Sequence, residues 1–227
     1  MIRLILFFLP LFFPLPSAAQ RPGAVLPECR NVVEERQRTE RFFTQQEIPD
    51  AVFRRMKGRS FGKGCSVKRS DLRYLLMLHR NVEGLTQVGE MVCNKAIAHD
   101  LLTIFRRLYE GGYRIERMVL IDDYDADDDR SMSANNTSCF NFRPVTGSRT
   151  RVSKHGMGMA VDINPLYNPY VKGSKVRPSA SQPYVRNRQR VPMAILRGDL
   201  CHRLFTRHGF SWGGAWRSMK DYQHFEK

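Results

Sequence analysis

Two short segments that lie far apart in this chain carry side chains of the types that bind metal ions, and any fold that uses them must bring them together. The first segment, residues 153–165, contains His155 and Asp162. The second, near the C-terminus, contains Asp221 and His224. Two imidazoles and one carboxylate can hold a zinc ion and leave its fourth position to water, as in catalytic zinc sites. The sequence therefore predicts a zinc site made by His155, Asp162 and His224.

The residues around Asp162 favour a short strand that presents this carboxylate on one face. Apolar residues alternate with polar or small ones here, at Met159, Val161 and Ile163, which is the period of a half-buried strand. Gly156 and Gly158 would let the backbone pass close to a bound ion. Taken alone, His155 and Asp162 could also be a surface histidine and a helix-capping aspartate, so the prediction depends on His224.

The rest of the chain predicts a mixture of helices and strands. Apolar residues at helical spacing predict a helix over residues 95–109, with Asn94 as its N-cap and a stop at Gly111. A second main helix is predicted over 192–208 and a short one over 48–56. Strands are predicted over residues 72–78, 88–93, 113–122, 140–143 and 222–225, and a short strand with a turn over 210–214.

Two segments without clear periodicity are candidates for the walls of a site. Residues 165–192 are rich in Pro, Tyr, Asn and basic side chains, and a long segment of this kind commonly forms a lid or a binding wall. Residues 122–129 are rich in aspartate, but Asp128 and Ala134 occupy the positions where an EF-hand requires glycine and glutamate. We therefore expect a solvated loop or a rim of the site there, not a calcium site.

The chain is strongly basic, with 37 Lys and Arg against 22 Asp and Glu and a formal net charge of +15 at pH 7. Such a charge suits an anionic cell-wall polymer, an anionic lipid surface or nucleic acid as a partner, and it also suits a merely solvated basic surface. No zinc-finger spacing and no basic heptads occur, so we expect no nucleic-acid partner.

The first 19 residues have the pattern of a signal peptide. Arg3 precedes an apolar run, and Ser17, Ala18 and Ala19 supply small residues for cleavage. The run is short and contains three prolines, so we expect no stable membrane span. An uncleaved anchor is the alternative. Cleavage would make the protein secreted or periplasmic and leave a charge of +14, since 36 bases remain against 22 acids.

Five widely spaced cysteines lack the CxxC pairs of a thiolate zinc site, and they are Cys29, Cys65, Cys93, Cys139 and Cys201. In an exported protein this number predicts one or two disulfides and an unpaired thiol, with pairings that the sequence does not determine.

The site segments resemble the VanY-type zinc D-alanyl-D-alanine carboxypeptidases. Residues 153–162 read SKHGMGMAVD and resemble the S-x-H-x-x-G-x-A-x-D motif of that family. Asp221-x-x-His224 resembles its closing E/D-x-x-H element, and Trp212-Gly213-Gly214 resembles the W-G-G turn that often precedes it. The combination in this order is specific, and the resemblance extends over about residues 93–227.

The resemblance implies an α+β fold in which a small antiparallel sheet bears the zinc site and is flanked by helices. Together with the predicted signal peptide at 1–19, it leaves an extension of unclear role at 20–70, which the resemblance does not cover, and a zinc peptidase domain at 71–227. His155, Asp162 and His224 become the metal ligands. Asp221 becomes the general base and acid, although it could instead orient His224.

The implied activity is hydrolysis of peptidoglycan stem peptides, and the favoured reaction is that of a D-Ala-D-Ala carboxypeptidase. The alternatives are an L-Ala-D-Glu type endopeptidase, a zinc hydrolase acting on another substrate, and a non-catalytic cell-wall-binding module on the same scaffold. One departure concerns the family's S-G-Y-R element, since residues 121–125 contain no arginine. Arg143 is the predicted substitute for polarising the carbonyl or holding a carboxylate, with an ordinary surface arginine as the alternative. Ser153 and Asp123 complete the predicted substrate-binding set, Asp123 or Asp125 as partner of a substrate ammonium.

Overall fold

Three antiparallel sheets, each of three strands, organise the part of the chain that the computed structural model describes, residues 21–143 and 151–227. The first sheet has the order β1 (Thr44–Gln46), β2 (Leu72–Arg80), β3 (Thr86–Asn94). The second has the order β4 (Ala160–Asp162), β9 (His224–Glu226), β7 (Ser211–Trp212), and the third β6 (Lys175–Arg177), β5 (Tyr170–Lys172), β8 (Lys220–Asp221).

Five α-helices accompany these sheets within the described residues: α1 (Val32–Phe42), α2 (Asp50–Met56), α3 (Lys95–Glu110), α4 (Asp128–Ser133) and α5 (Leu200–Arg207). Every strand pair is antiparallel. The predicted α+β class, with small antiparallel sheets flanked by helices, is confirmed.

The segments with the clearest apolar patterns in the sequence form the longest strands and the longest helix of the described residues. Strands β2 and β3 pair along their whole lengths, from Leu72 opposite Asn94 to Arg80 opposite Thr86. Helix α3 follows β3 directly, because the Asn94 side chain accepts a hydrogen bond from the backbone N–H of Ala96 at 3.0 Å and caps the helix. The apolar face of α3 is buried against the first sheet, as its periodicity predicted.

The hydrophobic core reaches the C-terminal sheet through stacked aromatic rings. Phe205 of α5 and Phe225 of β9 are both fully buried, and their ring centroids lie 4.2 Å apart. Phe225 follows His224 in the chain. Because successive strand residues point to opposite faces, the burial of Phe225 turns His224 to the other face of β9.

The segments 113–122 and 140–143 are not strands, which corrects two predictions. The backbone N–H groups of Glu116 and Val119 donate to the side-chain oxygens of Asn164 and Asn136 at 3.1 and 2.9 Å. Side chains thus take the hydrogen bonds that a neighbouring strand would have provided. Residues 121–124 form a 3-10 turn, and Phe140 makes one backbone bond to Val92.

The predicted helix over 192–208 is also wrong at its start, because α5 begins only at Leu200. Met193 and Gly198 have positive φ angles of 57° and 85°, which a right-handed helix does not allow. The Asp199 side chain then accepts a hydrogen bond from His202 N–H at 2.7 Å and caps the helix. The preceding segment, predicted as irregular, contains the β5–β6 hairpin.

The predicted extension, residues 20–70, contributes to the same packing as the rest where it is described. Strand β1 pairs with β2, with Gln45 opposite Leu75. Buried side chains of the extension share a hydrophobic cluster with Leu72 and Val92, and they are Ile48, Val52 and Met56. The predicted signal peptide lies outside the described residues. No helix within residues 21–143 and 151–227 is long and apolar enough to cross a membrane.

All five cysteines lie in the described part of the chain and all are free thiols there. The one or two disulfides that export predicted are therefore not formed in this structure. Cys93, Cys139 and Cys201 are buried, and burial raises their pKa values, which keeps these thiols protonated.

An ion pair between the half-buried Arg55 and the buried Glu90 joins the extension to the first sheet. Arg55 of α2 donates two hydrogen bonds to the carboxylate of Glu90 on β3, at 2.6 and 3.0 Å. The Tyr74 hydroxyl donates to the same carboxylate at 2.7 Å. The Glu90 side chain is 0% exposed, so its charge depends on these donors.

We predict that Arg55→Met lowers the free energy of unfolding by about 3 kcal/mol, because it leaves the buried Glu90 charge without its cation. The double variant Arg55→Met/Glu90→Gln should recover part of this loss. Arg36→Met, which removes an exposed ion pair with Glu40, is the control and should cost less than about 1 kcal/mol. Urea unfolding measures all three, and equal losses in Arg55→Met and the control would show that α2 is not coupled to the sheet.

Candidate metal centre

Strand register places two of the predicted ligands side by side. In the second sheet, Asp162 of β4 lies directly opposite His224 of β9, and directly opposite residues of antiparallel strands have adjacent side chains on the same face. His155 approaches from a 3-10 turn, His155–Met157, which precedes β4. The Ser153 hydroxyl accepts a hydrogen bond from Gly156 N–H at 2.9 Å and fixes the start of this turn.

The three side chains offer ligand atoms at the spacing of one small cation. His155 Nε2 lies 3.1 Å from His224 Nδ1 and 3.2 Å from Asp162 Oδ2. His224 Nδ1 lies 3.1 Å from Asp162 Oδ1. A tetrahedral zinc ion with bonds of about 2.0–2.1 Å requires its ligand atoms to be about 3.3 Å apart. The donor set and its spacing therefore fit zinc.

The hydrogen bonds of the two imidazoles set which nitrogen faces the centre. His155 Nδ1 lies 2.7 Å from the carbonyl oxygen of Cys139, to which it donates. His224 Nε2 lies 3.1 Å from Glu226 Oε2 and donates to that carboxylate. Each ring then turns its other nitrogen toward Asp162, and a cation between these two nitrogens and the carboxylate would stabilise the three groups when the nitrogens act as acceptors.

The electrostatics of the centre favour positive charge there. Burial alone would raise the pKa of Asp162, but the adjacent His155 and His224 hold it well below its usual range. Burial opposes charge on His224 as well, yet hydrogen bonds to Asp162 and Glu226 raise its pKa to about 10. The carboxylates thus stabilise positive charge at this position, which a proton or a metal ion can supply.

Two glycines allow the segment carrying Asp221 to approach the centre. A side chain at Gly213 would place its Cβ 2.6 Å from the Asp221 carbonyl oxygen and 3.3 Å from His224 Cβ. A Cβ at Gly214 would lie 2.3 Å from the Trp212 ring. The Trp212 indole N–H donates to the Tyr222 carbonyl at 2.9 Å. The W-G-G turn therefore packs against the strand ends that hold Asp221 and His224.

Asp221 lines the same cavity as the three candidate ligands but is not one of the group that could hold the metal ion. Its Oδ1 atom is buried and accepts no hydrogen bond from the described residues. Burial, together with the nearby charge of Asp162, raises the pKa of Asp221 to about 6. Such a carboxyl group is mostly ionised at neutral pH and can both take up and return a proton near that pH.

Glu226 is the site residue that the sequence interpretation missed. It accepts the hydrogen bond that orients the His224 ring, which was the role considered as the alternative for Asp221. A signal was present, because Glu226 lies two positions after His224 and side chains at i and i+2 of a strand share one face.

An open cavity of about 910 Å³ contains the three candidate ligands and Asp221 in its wall. Ser153 and Arg143 also line it, and Arg143 forms an ion pair with Asp128. Asp123 is not among the residues that line this cavity. Its carboxylate instead accepts a hydrogen bond from Arg55 at 2.8 Å. The structure thus brings Arg143 and Ser153 to the candidate site and places Asp123 in the ion-pair cluster of α2.

The glycines of the first segment allow close approach of neighbouring parts of the protein. Gly158 has φ +69°, and a Cβ there would lie 2.7 Å from Asn94 N. A Cβ at Gly156 would lie 2.6 Å from the Val152 side chain and 3.0 Å from the Arg143 carbonyl oxygen. A side chain at either position would therefore collide with the protein, which explains why glycine is needed at both.

Comparison with known proteins finds a family match in the C-terminal part of the chain, which contains the candidate centre. Residues 146–227 match a family model described as D-alanyl-D-alanine carboxypeptidase. No curated protein and no solved structure matches the chain. The matched segment is less than half of the chain and contains all three candidate ligands and Asp221. In residues 146–227 the chain therefore carries the pattern of the D-alanyl-D-alanine carboxypeptidase family, as its motifs predicted.

Proposed function

We propose that this protein is a zinc-dependent peptidase that hydrolyses peptidoglycan stem peptides, with a D-Ala-D-Ala carboxypeptidase reaction as the first candidate. The observation that carries the proposal is the group formed by two imidazole nitrogens and the Asp162 carboxylate, whose two oxygens each lie 3.1–3.2 Å from one of the nitrogens, next to Asp221 with its buried oxygen. The family match over residues 146–227 supports a peptide substrate. A purely cell-wall-binding module would not need Asp221 in this position.

His155 Nε2, His224 Nδ1 and Asp162 would hold the metal ion. Zinc bound there would act as a Lewis acid that polarises the scissile carbonyl and makes a water molecule acidic. Glu226 keeps the His224 ring in the orientation and tautomer that this requires. Ser153 stabilises the turn that carries His155.

Asp221 is the proposed proton carrier of the reaction. Its Oδ1 atom would accept a proton from the attacking water and return it to the amine that leaves. Arg143 lines the same cavity and is the proposed partner of the substrate carbonyl or carboxylate. Because Arg143 already pairs with Asp128, substrate would share or replace that partner. The apolar segment 1–19 supports export to the wall as part of the proposal.

Removing a ligand should remove the metal. We predict that His155→Ala loses most of its bound zinc, which in the native protein is about one ion per chain, and loses the rise in melting temperature that zinc gives. His99→Ala changes an exposed histidine of α3 and is the matched control. Elemental analysis and thermal unfolding with and without zinc provide the two measurements. Unchanged zinc content in His155→Ala would contradict the ligand assignment.

Removing the proton carrier should separate metal binding from turnover. We predict that Asp221→Asn keeps its zinc and lowers kcat by at least about 10²-fold, because proton transfer loses its carboxylate. Mass spectrometry of defined stem peptides after incubation measures the rate and identifies the bond that is cut. A zinc-loaded Asp221→Asn protein with native kcat would refute this role, and products cut at L-Ala-D-Glu would favour the endopeptidase alternative.

Loss of the carboxylate that orients His224 should weaken the metal site without abolishing it. We predict that Glu226→Ala lowers zinc affinity by about 10–100-fold, and that Glu226→Gln, which can still accept the hydrogen bond, retains more of it. Competition with a chelator measures the affinity. Glu110→Gln, on the exposed end of α3, should leave zinc affinity unchanged; a similar change in all three variants would contradict the role.

A further inference from the structure

We propose that Lys172 and Lys175 of the β5–β6 hairpin bind an acidic group of the substrate. This group belongs to a substrate residue two or three positions from the bond that is cut. This inference rests on the proposed peptidase function and adds the substrate class, a peptide with a carboxylate at that distance. The hairpin shares one face of the third sheet with Asp221.

The register of the third sheet aligns the hairpin with Asp221. Tyr170 of β5 pairs with Asp221 of β8 on one side and with Arg177 of β6 on the other. Lys172 lies two positions beyond Tyr170, and Lys175 pairs with Lys172. Residues two apart on a strand, and residues directly opposite on neighbouring strands, share one face of the sheet. The two lysines therefore lie on the face that carries Asp221.

The cavity confirms this geometry. All five residues of that face line it, whereas the residues that alternate with them on the opposite face, Val171, Val176 and Lys220, do not. One face of the third sheet thus forms a continuous wall from Asp221 to the end of the hairpin.

Strand geometry gives the distance from Asp221 to the lysines. Two residues along a strand cover about 6.8 Å, and neighbouring strands lie about 4.8 Å apart. The backbone of Lys172 is then about 8 Å and that of Lys175 about 12 Å from the backbone of Asp221. An extended peptide advances about 3.3–3.6 Å per residue. A substrate carboxylate opposite this pair would belong to a residue two or three positions from the scissile bond.

The charge arrangement indicates that the lysine pair faces an anion. Like charges directly opposite each other on neighbouring strands destabilise a sheet, and Lys172 and Lys175 form such a pair. Both are exposed, and neither has an ion-pair partner among the described residues. Two other cations of the cavity wall have close partners, since Arg143 pairs with Asp128 and Lys154 donates to the Lys227 carbonyl.

The acidic residues of the cavity wall do not neutralise the hairpin. Asp162 and Glu226 contact the candidate ligand histidines, and Asp128 contacts Arg143. Asp221, the remaining acidic residue of the wall, forms no ion pair with either lysine in the described part of the chain. Arg177 has only a long contact of 3.8 Å with Asp129. The hairpin end therefore presents positive charge to the cavity, and a substrate carboxylate would relieve the repulsion within the lysine pair.

The test uses the full chain loaded with zinc and two stem pentapeptides that end in D-Ala-D-Ala. The peptides differ only in amidation of the D-Glu carboxylate, which belongs to the third residue before the terminal bond. We expect the native protein to prefer the acidic peptide by about 10-fold in kcat/KM, the product of two exposed ion pairs of modest strength. We expect the difference to lie in KM and to shrink at high salt.

The variant Lys172→Gln/Lys175→Gln should have the same kcat/KM on both peptides, equal to that of the native protein on the amidated peptide. The loss on the acidic peptide should appear in KM and not in kcat. Lys172→Arg/Lys175→Arg should keep the preference, because the charge is retained. Lys63→Gln/Lys68→Gln removes two exposed lysines outside the cavity wall and should also keep it. Circular dichroism establishes that each variant is folded.

Equal kcat/KM on the two peptides in the native protein, or a preference that survives in Lys172→Gln/Lys175→Gln, would overturn the hairpin proposal and leave the peptidase function standing. Cleavage of neither peptide by zinc-loaded protein would overturn the proposed function and this inference with it.

Discussion

The candidate site depends on one cross-strand pair, Asp162 opposite His224. This pairing joins two segments that are distant in the chain, and it leaves only His155 to be supplied by an adjacent turn. The register is held by the core, because Phe225 is buried against Phe205 on the other face of β9. A slip of one residue would exchange the faces of the strand. It would then bury His224 in the core and turn Phe225 toward the cavity.

The three carboxylates of the site have different contacts in this arrangement. Asp162 is the proposed metal ligand, and Glu226 accepts the hydrogen bond of His224. Asp221, which comes from a different sheet, has a buried oxygen without a hydrogen bond in the described part of the chain. Three acids near one centre thus have three environments, which allows a ligand, an orienting group and a proton carrier to coexist.

The third sheet connects the proposed chemistry to the proposed substrate preference. Asp221 occupies its edge strand β8, and the hairpin extends the same face along the cavity. The hairpin belongs to residues 165–192, where the sequence has no period. Arg188 holds this region in place, because it donates to Asn168 at 2.6 Å and lies over the Tyr222 ring at 3.9 Å. Part of the chain's basic charge therefore has a defined place at the site.

Local pattern was a good guide wherever local interactions decide the structure. The helix α3 and the strands β2 and β3 were predicted because apolar period, cap and stop agree within a few residues. The same reasoning failed at 113–122 and before Leu200. In the first of these segments the side chains of Asn136 and Asn164 take the backbone hydrogen bonds, and positive φ angles at Met193 and Gly198 interrupt the second. The spacing of apolar residues in the sequence reveals neither the side-chain hydrogen bonds nor the positive φ angles.

The sequence by itself determined which groups the candidate site can use, since the types and order of His155, Asp162, Asp221 and His224 already predict a set of metal ligands and one further carboxylate. Only the tertiary structure decided that Glu226 orients His224, that Asp123 pairs with Arg55, and that two lysines share the face of Asp221. The physical reason is that residue type sets what an atom can bind, whereas strand register and packing across the chain set which atoms meet.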